Sequence, residues 1–88
     1  MKFEIVVKQR FRSYQITAEI IETTPVSEKI KITGYWGRSI TLQNNRPFFL
    51  SRGLRHRRWD WELIEGNVKI QSFLEELLKE LEVKLRAL

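Results

Sequence analysis

Apolar and polar residues alternate along most of the chain, which is the pattern of half-buried β-strands. Phe3, Ile5 and Val7 share one face of the first strand. The apolar positions of the second strand are even-numbered, so a turn or bulge near residues 10–13 is expected to change the register. The same alternation predicts four more strands, one around residues 29–33 and others at about residues 38–43, 46–51 and 57–65.

Residues that favour turns separate these predicted strands. Residues 23–27 form a proline-containing loop, and residues 34–37 form a hairpin loop with glycine at both ends. Asn44 and Asn45 predict a two-residue turn, because asparagine tolerates positive φ better than most residues. Pro47 lacks the N–H that a central strand requires, so the fifth strand is expected at a sheet edge or begins unpaired.

The last part of the chain has the period of an amphipathic helix, from about residue 70 to residue 88. Ser72 and Glu75 have the spacing of a capping box, and Asn67 is an alternative N-cap, which places the helix start between residues 68 and 72. The apolar residues span an arc of about 140° at 100° per residue. They are Ile70, Phe73, Leu74, Leu77, Leu78, Leu81, Leu85 and Leu88.

These patterns together predict an α+β fold, in which an antiparallel β-meander or curved sheet of about six strands is packed by one C-terminal amphipathic helix. A chain of 88 residues is long enough for one domain and too short for two, so residues 1–88 are interpreted as a single domain with strands over about residues 2–65. The expected core comprises Phe3, Ile5, Val7, Ile16, Ala18, Ile20, Ile30, Ile32, Ile40, Leu42, Trp59, Trp61, Leu63, Phe73, Leu74, Leu77, Leu78 and Leu81.

Composition narrows the kinds of site and favours a cytoplasmic protein. The chain has no cysteine, so it has neither disulfides nor thiolate metal ligands. The apolar stretch after Met1 is interrupted by Glu4 and stopped by Lys8, which is unlike a signal peptide. No window has the length and hydrophobicity of a transmembrane helix, and the polar face of the predicted helix is mildly acidic. No membrane partner is therefore expected.

The positive charge of the chain is concentrated in one segment. The net charge is +5, and residues 46–58 contain five arginines and no acid, whereas eleven basic and eleven acidic side chains cancel over the rest. The arginine guanidinium forms two parallel hydrogen bonds with phosphate and also stacks on bases. An exposed aromatic ring beside arginine is typical of sites that bind single-stranded nucleic acid. We therefore predict a nucleic-acid-binding site, with an aromatic from the 34–37 hairpin tip. Its residues are Arg46, Arg52, Arg55, Arg57, Arg58 and Trp36.

Two other interpretations compete with this prediction. In the first, the arginines form a solvated surface that Asp60, Glu62 and the acidic face of the helix partly neutralise. In the second, the helix mediates protein–protein or homo-oligomeric contacts, because eight large apolar side chains are more than a small sheet needs. Convergence of the arginines on one face would favour nucleic acid, whereas pairing with the nearby acids would favour the solvated surface.

Catalytic chemistry is not predicted. His56 is the single histidine, and the arginines around it disfavour its protonated form, which makes it a poor general base. Asp60 and Glu62 lie about 7 Å apart on one strand face and are interpreted as solvated or paired with arginine. No residues have the spacing of a zinc, calcium or phosphate-binding motif. We expect a small non-enzymatic binding module without metal or cofactor, whose partner is nucleic acid or, alternatively, protein.

Overall fold

The predicted strands form one open antiparallel sheet in the computed structural model, which describes residues 1–35, 37–54 and 57–88. The strand order follows the chain, so the sheet is a meander. The elements are β1 (Lys2–Gln9), β2 (Arg12–Thr23), β3 (Glu28–Tyr35), β4 (Arg38–Asn44), α1 (Arg46–Leu50), β5 (Trp61–Glu65) and α2 (Gln71–Arg86). The α+β class and the C-terminal helix are therefore confirmed, and the sheet has five strands where about six were predicted.

The strand predicted at residues 46–51 is wrong, because this stretch forms the short helix α1. Proline is favourable in the first turn of a helix, where its missing N–H has no partner to lose. Pro47 occupies that turn, and the side-chain oxygen of Asn44 accepts a hydrogen bond from the Arg46 N–H at 2.9 Å. Asn45 is the N-cap residue, so the two asparagines end β4 and begin α1 in place of forming a hairpin turn.

The core lies between one face of the sheet and α2. Cross-strand pairs such as Ile5 with Ile16 and Ile32 with Ile40 place the alternating apolar residues on this face. The helix adds four buried residues, of which Leu85 was not in the predicted core. Leu63 was predicted to be buried and is 37% exposed, because α2 packs most closely on β1 and leaves the β5 edge of the sheet less covered. The buried apolar residues are Ile5, Val7, Ile16, Ala18, Ile30, Ile32, Ile40, Leu42, Trp59, Phe73, Leu77, Leu81 and Leu85.

Helix α2 begins within the predicted interval but without the predicted cap. Ile70 is the N-cap residue and makes no side-chain capping hydrogen bond. The Ser72 hydroxyl lies 3.1 Å from the Gln9 side-chain oxygen, to which it donates, so it is not available for a capping box. The helix start is thereby tied to the end of β1. Neither described helix is long and apolar enough to cross a membrane.

The connections between the strands of the meander lie at two opposite ends of the sheet. Strands β1, β3 and β5 run in the same direction, so the segments that follow them share one end, which we call the hairpin end. Helix α1 and the segment that leads into β5 follow β4, so they lie at the opposite end, which we call the arginine end. Helix α2 starts at the hairpin end and finishes at the arginine end, where the Leu85 carbonyl accepts a hydrogen bond from Arg46 at 3.4 Å.

Candidate nucleic-acid interface

The arginine end is built on α1 and the tight turn that follows it. The Ser51 N–H donates to the Pro47 carbonyl at 3.0 Å, and the N–H groups of Arg52 and Leu54 both donate to the Phe49 carbonyl. Gly53 has a φ of +73°, a conformation that side chains disfavour, and it lets the chain reverse directly after the helix. The arginines of this segment therefore project from a hydrogen-bonded turn.

The Arg46 guanidinium stabilises the fold through an ion pair with Glu28. Its Nη1 lies 3.0 Å from the Glu28 carboxylate, and the two side chains are 16% and 1% exposed. The Asn44 amide donates to the other Glu28 oxygen at 3.0 Å, so this carboxylate has two partners. A buried ion pair with further hydrogen bonds leaves little of the arginine charge free for a ligand. This placement argues against the predicted role of Arg46 in the nucleic-acid site.

Arg52 and Arg57 are exposed and rest on neighbouring aromatic rings. The Arg52 guanidinium carbon lies 3.7 Å from the centroid of the Phe48 ring, and that of Arg57 lies 5.5 Å from the centroid of the Phe49 ring. The two rings meet edge to face, with centroids 5.3 Å apart. Together these four residues form a continuous array, which we call the arginine–phenylalanine array. Each guanidinium is thereby held by a cation–π contact of about 0.5–1 kcal/mol while remaining open to solvent.

Arg58 is also exposed and lines a groove of about 510 Å³ between α2 and the start of β5. Trp61 forms part of the same groove, and its indole N–H donates to the Glu82 carboxylate at 3.0 Å. Arg86, in the last turn of α2, also lines the groove and donates to the Arg57 carbonyl at 3.2 Å. The groove extends along α2 into its N-terminal half, and three glutamates of the helix line it beside the two arginines.

Arg86 also lies at the arginine end, although it was not predicted as a residue of the candidate site. Its guanidinium carbon lies 4.6 Å from the centroid of the buried Trp59 ring and its Nη2 lies 3.8 Å from the Glu82 carboxylate. Basic residues are favourable in the last turn of any helix, because they interact well with the helix dipole. An arginine at this position therefore did not indicate a binding site. Only the tertiary fold places it beside the arginine segment.

Among the described residues, Asp60 and Glu62 do not form the ion pairs that would neutralise the arginine segment. The Asp60 carboxylate accepts one hydrogen bond from the Asn45 side-chain amide, at 3.0 Å. Within residues 1–35, 37–54 and 57–88, no ion pair joins a carboxylate to Arg52, Arg57 or Arg58. Three exposed cations of this segment are therefore without a carboxylate partner in the described part of the chain.

The remaining predicted site residues, Arg55 and Trp36, lie outside the described residues, as does His56. The chain neighbours of Trp36 belong to the β3–β4 connection, at the hairpin end. They are thus separated from the arginine end by the length of the sheet. The aromatic rings that do lie beside the arginines are Phe48 and Phe49, which the sequence analysis assigned to a strand.

Among the described residues, no group of three or more histidine, aspartate or glutamate side chains is arranged to hold a metal ion. No protein-family model matches the chain, and no curated protein or solved structure matches it either. The function is therefore argued from the geometry and charge of the site.

Proposed function

We propose that this protein is a small, non-enzymatic module that binds nucleic acid through the arginine end. The observation that supports it is the arginine–phenylalanine array, in which Arg52 and Arg57 are exposed, held in place and free of carboxylate partners among the described residues. Arg58 adds a third exposed cation to the same end. Guanidinium groups in this state form paired hydrogen bonds with phosphate.

The array also offers a surface for base stacking. Unpaired bases stack on arginine guanidinium planes as well as on aromatic rings. Phe48 and Phe49 are half-buried, and Arg52 lies over one of them, so the exposed element of the stack is the guanidinium itself. A guanidinium already packed on a ring loses less side-chain freedom on binding than an unsupported one. These features favour a flexible single strand as the ligand.

The alternative partner surface on α2 receives less support. Phe73, Leu77, Leu81 and Leu85 are buried against the sheet, so the apolar arc is used within this chain. Ile70 and Leu88, the two exposed members of the arc, flank the helix at opposite ends and are separate from each other. A protein or self-association contact through the helix would need a continuous apolar face. We therefore place nucleic acid first.

The proposal is tested by measuring the affinity for a labelled single-stranded oligonucleotide over a series of salt concentrations. For single strands the slope of log K against log salt is about −0.7 per phosphate neutralised. Replacing both arginines of the array (Arg52→Gln with Arg57→Gln) is expected to make this slope less steep by about 1.4 and to weaken binding. No binding by the unchanged protein at low salt would refute the proposal.

A matched control separates the site from the overall charge. Lys31→Gln removes one positive charge from an exposed position in β3, away from both ends of the sheet, and is compared with Arg52→Gln alone. The slope of this control is expected to match that of the unchanged protein, whereas Arg52→Gln is expected to make the slope less steep by about 0.7. Equal losses in the two single variants would show that binding depends on net charge alone and would contradict a role for the array.

A further inference from the structure

A second set of positive charges converges at the hairpin end. It comes from three separate stretches of the chain, residues 8–13, 33–39 and 66–72, which together contain five basic side chains and no acidic one. All five are exposed, and the described residues form no ion pair with any of them. The three stretches are far apart in the linear sequence, and the topology brings them to one end of the sheet. They are Lys8, Arg10, Arg12, Arg38 and Lys69.

Direct contacts place the three stretches side by side. The end of β1 is joined to the start of α2, because the Ser72 hydroxyl donates to Gln9 at 3.1 Å and the Gln9 amide donates to the Ser72 carbonyl at 3.4 Å. Gly66 lies against the start of β4, where a Cβ atom would come within 2.8 Å of the Ser39 carbonyl oxygen. The β1–β2 and β3–β4 connections are two strands apart, about 10 Å across the sheet at the usual strand spacing. The register places the β1–β2 turn about three residues, roughly 10 Å, further along the strand direction than Arg38.

An aromatic ring stands at the tip of this surface. Phe11 occupies the two-residue turn between β1 and β2 and is 99% exposed, with an arginine on either side of it in the chain. Because it buries almost no surface, its ring contributes almost nothing to the core. Arg10 has a φ of +44°, a left-handed conformation that glycine and asparagine adopt more readily than arginine does. Neither side chain is explained by the stability of the turn.

We propose that the hairpin end is a second nucleic-acid-binding surface, on which Phe11 stacks on an unpaired base. The five basic side chains contact the phosphates on either side of that base. An aromatic ring beside cations that follow the backbone is the usual platform for single strands. This surface is separate from the arginine end, so the proposal does not depend on the function proposed there.

The apolar content of this surface favours nucleic acid over an anionic membrane. Adsorption to a lipid surface requires a broad apolar face beneath the cations. At the hairpin end the large apolar side chains described as exposed are Phe11 and, at 41%, Ile70. One fully exposed ring is sufficient for one base, because each stacked base requires a single aromatic face.

The test measures binding of a labelled oligothymidylate to variants of the full chain that also carry Arg52→Gln and Arg57→Gln, so that the hairpin end is observed without the array. Phe11→Ala is expected to weaken binding roughly 5- to 100-fold without changing its salt dependence, because one stacking contact is lost. Arg10→Gln with Arg12→Gln is expected to make the slope of log K against log salt less steep by about 1.4. Val83→Ala is the matched control, since it also removes a large exposed side chain, from the outer face of α2.

Phe11→Leu and Phe11→Trp distinguish stacking from hydrophobic insertion. Leucine keeps the apolar character but lacks a ring, so it is expected to bind the oligonucleotide as poorly as the alanine variant, whereas tryptophan restores binding. The same variants are tested on vesicles of mixed phosphatidylserine and phosphatidylcholine. The proposal would be overturned in favour of a membrane surface by two results together. The leucine variant would still bind vesicles, and Phe11→Ala would leave oligonucleotide binding unchanged.

The two nucleic-acid proposals fail separately. If the hairpin variants leave oligonucleotide binding unchanged, the hairpin end is not a binding surface, whatever the variants of the arginine–phenylalanine array do. If the hairpin variants weaken binding and Arg52→Gln with Arg57→Gln does not, the hairpin proposal stands and the function proposed for the arginine end is contradicted.

Discussion

The buried ion pair between Arg46 and Glu28 predicts that one arginine of the segment acts on folding and the others do not. Arg46→Met would leave the Glu28 carboxylate, which is 1% exposed, with the Asn44 amide as its described partner. Removing one member of a buried pair typically costs about 3–5 kcal/mol, because the other charge remains desolvated. Arg58→Met changes an exposed side chain with no described carboxylate partner and is expected to alter stability by less than about 0.5 kcal/mol.

Urea unfolding followed by tryptophan fluorescence measures both changes as shifts of the midpoint at constant m. The double variant Glu28→Met with Arg46→Met also removes the carboxylate that Arg46→Met leaves without its ion-pair partner. It is therefore expected to lose much less stability than the two single variants summed. A loss below about 1 kcal/mol for Arg46→Met, equal to that of Arg58→Met, would refute the reasoning. Arg46 would then belong with the exposed arginines of the candidate site.

Two further predictions concern packing and are checked by the same unfolding measurement. Gly66→Ala is expected to destabilise the domain by about 2–4 kcal/mol, because the residue has a φ of +87° and the new Cβ would lie 2.7 Å from the Ile40 side chain. Gly53→Ala is the control and is expected to cost about 1 kcal/mol or less, because Gly53 has a φ of +73° but open space around it. Equal losses in the two variants would contradict the steric argument. Leu85→Ala is expected to cost about 2–5 kcal/mol and Val83→Ala less than about 0.5 kcal/mol, whereas similar costs would show that α2 does not pack through the face described.

The sheet was predictable because each of its faces has a different environment. In β1, β2 and β3 the buried residues fall at alternate positions, and a shift of one residue would exchange the two faces, so the alternation determines which residues enter the core. The start of α2, at Gln71, lies within the predicted interval, although the two predicted capping residues, Ser72 and Asn67, do not cap the helix. The contact between Ser72 and Gln9 was not predicted, because the two residues are 63 positions apart in the chain.

Helix α1 was not predictable from the local pattern, because it has only five residues and its stabilising contacts are distant in the sequence. Arg46 reaches Glu28, 18 residues earlier, and Leu85, 39 residues later. The same two contacts separate Arg46 from the other arginines of its segment. A local charge pattern identified the segment but not which of its members remain accessible.

The charges of the hairpin end illustrate the same limit on a larger scale. Arg10, Arg38 and Lys69 are spread across the chain, so no short segment of the sequence contains them together. Their convergence follows from the directions of β1, β3 and β5, which the alternation of residues does not contain. Prediction of this surface would have required the strand order as well as the strands.

The positions of the two basic ends determine how a polyanion can approach the molecule. The strands between them have 5 to 12 residues, and the 53 residues outside 8–13, 33–39, 46–60 and 66–72 carry six basic and ten acidic side chains. A strand of nucleic acid that ran from one end to the other would cross a surface of like charge. Each end would therefore engage a separate stretch of polymer, so the protein would link strands together and not coat a single strand. Its complexes with long nucleic acid are then expected to grow into networks at equal amounts and to dissolve when either component is in excess.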